Sequence, residues 1–341
     1  ALSPNVATGF GTPGQAGGRQ GGTRSNQNIA VSGMRGVWNN YTLDGIANTD
    51  INFNLYIVMP SVDALQEFKV QSGIYPAEFG RSATQINVST KPGTNEFHGT
   101  AYWFHRNSAL DAKPYDFDGT FPANPPFRWN QYGGTIGGRL IRDKLFGMFN
   151  FEGFKERVSG TGYWTMPPPV MRNGDFSLSP IATIKNPFTL QPFPGKQLPS
   201  SMFDKTALKL LEFYPEPNLA TAKIDRNYMR STRNATDKDQ LTTRVDFNES
   251  TGSQWFGRYS WNDESQLTEG LPLSGQTLIS RAKQYMASNT RVISATKVNE
   301  ARFGVSVMYN EMGNELGGVR NVVKELGLPM GTEPPSSWGI P

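Results

Sequence analysis

The chain has 341 residues, a formal net charge of +4 and no cysteine, which excludes a disulfide framework, a cysteine-ligated metal site and thiol chemistry. This length suffices for two ordinary domains or one large β domain with a sizeable core. Glycine (36) and proline (24) are abundant and charged residues make up 18 %, which favours strands and turns over long helices and gives no electrostatic case for a nucleic-acid partner.

The sequence contains no run of about 18 apolar residues, which excludes a membrane-spanning helix. This finding does not exclude a membrane β-barrel, because the strands of such a barrel are short, alternate in polarity and are hydrophilic on average. The chain starts at Ala1 without an initiator methionine or a signal peptide, and it stops at Pro341 in a loop-like segment. We therefore expect sequence to be missing at both ends.

The first part of the chain is predicted to contain short strands and turns. Residues 28–35 alternate like a strand, Asn39-Asn40 favours a turn, and Tyr41–Leu43 forms a return strand that ends at Asp44-Gly45. Ser61–Phe68 is predicted to be a short helix, with Ser61 as its cap and an apolar face formed by residues 62, 65 and 68.

Two further strands, Glu67–Gln71 and Gln85–Thr90, flank a turn-rich segment. A break follows at Pro92-Gly93, and a new aromatic strand begins at His98. The Pro-Gly break and the aromatic strand after it predict a domain boundary, with residues 1–93 in one domain and residues 94–341 in another.

Five short motifs in the first domain occur in a fixed order. They are Arg35-Gly36, Asp44-Gly45, Glu67–Val70, Phe79-Gly80 and Ile86–Lys91. Together, and with this spacing, they resemble the plug domain of TonB-dependent outer-membrane transporters, in particular the Oar-like branch. Thr84-Gln85 departs from the small residues usual in that family, which puts a tight turn at this position in doubt.

Seven strands are predicted after Gly93, most of them about ten residues long with period two, the length and alternation that a tilted membrane strand requires. They are Gly99–Arg106, Gln131–Leu140, Lys144–Lys155, Leu241–Phe247, Gln254–Asn262, Gln284–Ala295 and Ala301–Asn310. The predicted fold is therefore mainly β: a plug followed by the first strands of a large antiparallel transmembrane β-barrel.

The resemblance implies about 22 strands in the complete barrel. About seven strands cannot close that circle, and an open edge in hydrocarbon would leave backbone groups unpaired at several kcal/mol each. We therefore expect the rest of the barrel beyond Pro341. Residues 157–239 are predicted to form a long extracellular loop that contains a helix at Ser201–Phe213, and residues 265–281 a shorter one.

Motifs for catalysis or for cofactor binding are missing from the sequence, so no catalytic, cofactor or metal residue is predicted. The two histidines, His98 and His105, lie seven residues apart on one strand, which places them on opposite faces and prevents them from sharing a metal. Glu67 and Glu78 are expected to form salt bridges. A secreted enzyme such as a glycosidase ranks last, because no pair of carboxylates stands out.

The resemblance implies active transport across the outer membrane of a diderm bacterium, driven by the TonB-ExbB-ExbD complex through a segment outside this chain. The substrate, a carbohydrate, a peptide or a siderophore-like molecule, would bind above the plug. The matching apices supply the candidate substrate contacts Val37, Trp38, Asn39, Asn40, Asn48, Thr49, Asp50 and Asn52. A tryptophan beside several asparagines suits a sugar or a peptide; alternatively, Trp38 packs against the barrel wall.

The remaining motif residues are predicted to form the plug framework: Arg35, Asp44, Glu67, Gly80, Arg81, Asn87 and Lys91. The three cations of this set are expected to pair with barrel carboxylates such as Glu152 or Asp246. Residues 93–95 are predicted to be a periplasmic hinge between plug and barrel. Other expected partners are the outer-membrane lipid and the substrate. The alternative function is a β-rich surface-binding or adhesive protein without transport.

Overall fold

The computed structural model describes residues 6–8, 29–31, 38–52, 54–72, 84–112, 115, 124–220, 224–272, 274–328, 335 and 338. Strands dominate this part of the chain, which confirms the mainly β prediction. A small two-stranded antiparallel sheet joins β1 (Val6–Thr8) to β2 (Ile29–Val31). No helix in these ranges has the length and apolar character needed to cross a membrane.

The second sheet, called here the small sheet, has four strands in the order β4-β3-β6-β5. They are β3 (Asn39–Leu43), β4 (Ile46–Ala47), β5 (Leu65–Ser72) and β6 (Thr84–Thr90). β3 runs parallel to β6, and the other pairs are antiparallel. Alternate residues of β3 and β6 are buried, which builds a compact core from Tyr41, Leu43, Tyr56, Ile86 and Val88.

The predicted helix at Ser61–Phe68 is wrong. The structure has a single 3-10 turn, Val62–Ala64, and β5 begins at Leu65. The predicted apolar face is not covered, because Val62 is 84 % and Phe68 45 % exposed. Pairing with β6 satisfies the backbone of this segment and overrides the local helical pattern.

The other predictions for the first part of the chain have different outcomes. The turn predicted at Asn39-Asn40 is wrong, since both residues pair with β6 as the first residues of β3. The strands predicted at Glu67–Gln71 and Gln85–Thr90 are confirmed within β5 and β6. Of the strand predicted over residues 28–35, the structure describes residues 29–31, which are extended.

The third sheet, called here the large sheet, is an antiparallel meander of seven strands in sequence order. They are β7 (His98–Asn107), β8 (Phe127–Ile141), β9 (Leu145–Trp164), β10 (Tyr228–Ser250), β11 (Ser253–Thr268), β12 (Gln276–Ser294) and β13 (Lys297–Asn314). Within the described residues each of the seven predicted strands overlaps one of these, in the predicted order. Most observed strands are longer than predicted, because polar segments continue the pairing beyond the apolar part.

The connections of the large sheet differ between its two ends. Short turns at residues 142–144, 251–252 and 295–296 lie at one end, and longer segments at residues 108–126, 165–227 and 269–275 lie at the other. The loop predicted over 157–239 is therefore too long, because β9 and β10 stay paired as far as Trp164 and Tyr228. The one predicted over 265–281 is also too long.

In the described part of the chain, three short helices lie outside the sheets: α1 (Pro169–Arg172), α2 (Lys205–Leu211) and α3 (Val322–Leu326). The helix predicted at Ser201–Phe213 is shorter than expected. A 3-10 turn at Ser200–Met202 precedes α2, and Asp204 caps α2 by accepting a hydrogen bond from the backbone N–H of Ala207 at 2.8 Å.

The two faces of the large sheet have opposite chemistry. The face toward the small sheet, called here the inner face, buries polar side chains such as Arg258, Ser260 and Gln284. The outer face exposes large apolar side chains at alternating positions: Ile136, Leu140, Phe149, Val245, Trp255, Tyr285, Phe303, Val305, Val307 and Tyr309. This arrangement inverts that of a soluble sheet and suits an outer face in contact with hydrocarbon.

Candidate functional site between the small and large sheets

Two glycines allow the small sheet to approach the inner face closely. The guanidinium of Arg302 lies against Gly45, and the side chain of Ile46 lies against Gly304. A Cβ atom at either glycine would overlap the neighbouring side chain. Gly45 also has a φ of +80°, a conformation in the turn after β3 that favours glycine.

An ion cluster joins the sheets beside this turn. Asp44 Oδ2 lies 2.7 Å from Arg258 Nε, and Asp44 Oδ1 lies 3.8 Å from Arg244 Nη1. The contact with Arg258 pairs the charges without the geometry of a directed hydrogen bond. Asp44 also accepts hydrogen bonds from the N–H and the hydroxyl of Thr90, at 2.8 and 2.9 Å. One carboxylate therefore fastens β6 to the β3–β4 turn and holds both to the large sheet.

Each arginine of the cluster is held in place by further groups. Arg244 donates to the carbonyl of Thr90 at 2.8 Å and to Asp246 at 2.6 Å. Arg258 donates to Ser260 Oγ and to Gln284 Oε1, both at 2.6 Å. The contacts with Asp246, Ser260 and Gln284 lie within the large sheet, so they fix the donors before the small sheet docks and reduce the entropy lost on docking.

Two more polar contacts extend the interface across the large sheet. Gln284 Nε2 donates to the carbonyl of Ala47 at 3.2 Å, and Ser61 Oγ donates to Asn150 Oδ1 at 2.9 Å. Because Ser61 makes this contact, it is not the helix cap that was predicted. Polar groups of the small sheet and of the neighbouring residue Ser61 thus contact β9, β10, β11 and β12, and the β3–β4 turn packs against β13 at Arg302 and Gly304.

The ion pairs between the sheets have the reverse polarity of the prediction. The anion, Asp44, lies on the small sheet, and the cations lie on the large sheet. Glu152 instead accepts hydrogen bonds from three residues of the large sheet: Tyr102, Gln131 and Gln240. Asp246 pairs with Arg244 of its own strand. Lys91 is exposed and has no ion pair within the described ranges, while Arg35 and Arg81 lie outside the described residues.

The remaining framework residues contribute within the small sheet. Asn87 accepts from the hydroxyl of Thr42 at 2.6 Å and donates to Gln71 Oε1 at 2.9 Å, so it links β3, β6 and β5. Glu67 is exposed on β5, and Gly80 and Glu78 lie outside the described residues. Thr84 and Gln85 are buried in β6 and not in a tight turn, and Gln85 accepts from Asn40 Nδ2 at 2.7 Å.

The candidate substrate contacts divide into buried and exposed residues. Asn39, Asn48 and Asp50 are buried. Asn48 donates to the carbonyl of Val58 at 2.7 Å and accepts from its N–H at 3.0 Å. The side chains of these three residues are therefore enclosed in this structure.

Two other candidate contacts lie close together and two are exposed. Thr49 Oγ1 donates to Asn40 Oδ1 at 3.0 Å. Trp38 is 54 % exposed and Asn52 is exposed, whereas Val37 lies outside the described residues. Of this set, Trp38 and Asn52 are best placed to meet a ligand without rearrangement of the small sheet.

The predicted hinge is packed against the large sheet. Residues 91–97 connect β6 to β7, and Gly93 sits so close to β9 that a Cβ atom there would lie 2.7 Å from Phe146 Cβ and 2.8 Å from the backbone N of Gly147. The register of β7 with β8 confirms that His98 and His105 face opposite sides of the sheet.

Sequence reasoning did not select Arg258, Arg244 or Gln284 as interface residues. Their alternation marked them as members of the polar face, and that signal was available in the sequence. Their partners on the small sheet were not, because Asp44, which pairs with both arginines, and Ala47, which accepts from Gln284, are far away along the chain.

An antiparallel meander with a polar inner face, an apolar outer face and long connections at one end is the wall of an outer-membrane β-barrel. Residues 89–341 match the family model described as outer membrane beta barrel domain. The chain therefore belongs to this family, and it is a protein of the outer membrane.

The chain is similar to two described transporters. It is 30 % identical over 131 residues to the TonB-dependent transporter Oar of Myxococcus xanthus, an alignment that covers 37 % of this chain and 12 % of Oar. The solved structure of the outer membrane transporter YddB of Escherichia coli superposes with a TM-score of 0.54 and 11 % identity, over 85 % of this chain and 34 % of YddB. The matched part is thus a minority of either relative, and both are described as transporters.

Proposed function

We propose that this chain is part of a TonB-dependent transporter that moves a substrate actively across the outer membrane. In this proposal residues 1–93 are the plug, residues 94–341 are the first part of the barrel, and TonB-ExbB-ExbD supplies the force. The observation that carries it is the seat of the small sheet on the polar inner face, clamped by Asp44, Arg244 and Arg258.

The chemistry of the interface supports a movable plug. The small sheet has its own apolar core, so it can shift as a unit without unfolding. Its contacts with the large sheet are mostly hydrogen bonds and ion pairs, which water can replace when the sheets separate. A shared apolar core would instead have to be exposed to water at about 25 cal/mol per Å².

The position of Trp38 supports a ligand site on the outward side of the plug. Trp38 precedes β3, at the end of the strand opposite the Asp44-Gly45 turn. That turn meets Arg258 and Arg302, which lie near the short-turn end of the large sheet. Trp38 is therefore directed toward the end with the long connections, which we assign to the outside. A carbohydrate, peptide or siderophore-like substrate would stack on its ring.

A reversible covalent lock, here a disulfide between residues 61 and 150 that joins the plug to the large sheet, tests this function. Residues 1–341 contain no cysteine, so Ser61→Cys with Asn150→Cys introduces one cysteine pair within this chain, at a place where Ser61 Oγ and Asn150 Oδ1 are 2.9 Å apart. The gene with its natural flanks is expressed in cells given a labelled oligosaccharide, a labelled oligopeptide or a ferric catecholate. We expect cells with the wild-type protein to accumulate one class of probe, and we expect a protonophore to stop this uptake. In the double-cysteine variant the disulfide should abolish uptake until a reductant is added.

Each single-cysteine variant is the matched control and is expected to transport normally. Trp38→Ala is expected to weaken uptake of the same probe while surface expression stays unchanged. If probes bind the cell surface equally with and without the lock and none accumulates, the transport proposal fails. The adhesive-protein alternative would then stand.

A further inference from the structure

The outer face of the large sheet changes from apolar to basic over a short distance on β8 and β9. From the short-turn end of β9, the outward residues are Leu145, Gly147, Phe149, Phe151 and Gly153, and the next two are Lys155 and Arg157. On β8 the outward residues run from Leu140 and Ile136 to Tyr132, then Asn130 and Arg128.

The height of this change coincides with the edge of the membrane. From Leu145 to Lys155 the strand rises about 33 Å at about 3.3 Å per residue, and a tilt of about 40° reduces this to about 25 Å along the membrane normal. The apolar band of an outer-membrane barrel is about 25 Å tall. Lys155 and Arg157 therefore lie where the hydrocarbon ends and the lipid headgroups begin, on the side of the long connections.

The strand register concentrates positive charge at this level. Arg128 and Arg157 lie directly opposite each other on β8 and β9. Lys155 is two residues from Arg157 on the same face, and Arg233 of β10 pairs with Ser159, next along that face. Asp237 and Asp239 lie on the same face of β10, and Asp237 forms a 2.8 Å ion pair with Arg157. Glu269 accepts a hydrogen bond from the backbone N–H of Arg233 at 2.8 Å. The group, called here the outer basic cluster, comprises Arg128, Lys155, Arg157 and Arg233.

The outer basic cluster is exposed and largely uncompensated. All four side chains are exposed, and within the described ranges Arg128, Lys155 and Arg233 have no carboxylate at ion-pair distance. Like charges directly opposite on neighbouring strands destabilise a sheet. An anionic group beside Arg128 would reduce that repulsion. The guanidinium of Arg128 can donate two parallel hydrogen bonds to a phosphate, whereas Arg157 already donates to Asp237 and to the carbonyls of Glu156 and Thr236 and contributes mainly its charge.

We propose that the outer basic cluster binds the phosphate groups of a lipid headgroup in the outward-facing leaflet. The charge selects an anion, and the position beside Tyr132 and Phe151, whose ring centroids are 6.5 Å apart at the top of the apolar band, selects an anion that carries acyl chains. The proposal rests on the orientation assigned above and not on transport, so lipid binding and uptake can fail independently.

Binding of a phosphorylated glycolipid to the purified full-length protein in detergent tests this proposal. The probes are bis-phosphorylated lipid A, its dephosphorylated form and inorganic phosphate. We expect the bis-phosphorylated lipid to bind, the dephosphorylated form to bind at least about tenfold more weakly, and millimolar inorganic phosphate not to compete. Arg128→Gln with Lys155→Gln should weaken lipid binding about 25-fold, since each cation near an anionic membrane contributes about fivefold.

Arg291→Gln is the matched control, because Arg291 is an exposed cation on the outer face near the short-turn end of β12. It should bind lipid A like wild type. Heat-modifiable migration on gels verifies that each variant is folded. Equal binding by wild type and the double variant would overturn the proposal, as would equal binding of the two lipids. Full competition by inorganic phosphate would show an anion site without lipid specificity and would also overturn it.

Discussion

Asp44 of the small sheet and Arg258 of the large sheet form a buried ion pair, with 2.7 Å between Oδ2 and Nε and side-chain exposures of 3 % and 0 %. Neither charge can be hydrated in this position. Each is stable there because the other is present, together with the hydrogen bonds from Thr90 to Asp44 and from Arg258 to Gln284. The docking of the two sheets therefore depends on this contact more than on any exposed salt bridge.

Replacing Asp44 by asparagine is expected to loosen the small sheet. The change leaves Arg258 buried without its counter-charge, which costs about 3–5 kcal/mol. Hydrogen exchange followed by mass spectrometry should show the amides of β3 and β6 exchanging at least about 100-fold faster, since about 1.4 kcal/mol corresponds to a factor of ten. Asp111→Asn is the control, because its 3.5 Å contact with Arg106 is exposed and contributes about 0–1 kcal/mol. Equal exchange in the two variants would contradict this role of Asp44.

Replacing Gly304 by valine is expected to push β13 away from the small sheet. The new side chain would overlap Ile46, and overpacking of this kind costs about 1–3 kcal/mol. A protease added to the detergent-solubilised protein should cut residues 91–97 faster than in wild type. Gly257→Val is the matched control, since a Cβ atom there meets nothing nearer than 3.7 Å on the outer face. If both variants are cut at the wild-type rate, the close approach at Gly304 does not hold the sheets together.

Two asparagines of the predicted substrate set are expected to behave differently. Asn48→Ala leaves the N–H and the carbonyl of Val58 buried without partners, which should lower the free energy of unfolding by about 2–4 kcal/mol. Asn52→Ala, at an exposed position, should change it by less than about 0.5 kcal/mol. Urea unfolding of the purified protein measures both. A stable Asn48→Ala variant would show that this residue is not structural.

High pH is expected to destabilise the small sheet through Tyr41. Burial raises the pKa of Tyr41 above its ordinary value of 10.0, and the hydrogen bond from Asn39 opposes this shift only in part. Below pH 10 the hydroxyl is protonated in both the folded and the unfolded states, so the full stability is present. As the pH rises above 10 the unfolded state ionises first, so stability falls.

Thermal unfolding followed by near-UV circular dichroism between about pH 8 and pH 11.5 measures this loss. Tyr41→Phe has no ionisable group at this position and should lose less stability over the same range. An identical loss in both proteins would assign the alkaline effect to other tyrosines.

Much of the large sheet was predictable because its pattern is local. The alternation of Phe303, Val305 and Val307 with polar residues indicated a strand and also assigned its faces, and the register of β12 with β13 confirms both. The ends of the strands were not predictable. The pairing of Arg281 with Asp263 continues β11 and β12 through a segment whose polar composition is typical of a loop.

The sequence by itself determined that the chain is a β protein with a polar and an apolar face, because the period of two follows from the backbone and needs no knowledge of distant contacts. The order of its motifs also indicated the family. The tertiary structure alone decided that Asp44 meets Arg258, that Ser61 meets Asn150, and that Asn48 is buried. Such contacts depend on how the two sheets pack against each other. A polar side chain can pair with many partners, and only the packing of the sheets determines which one it meets.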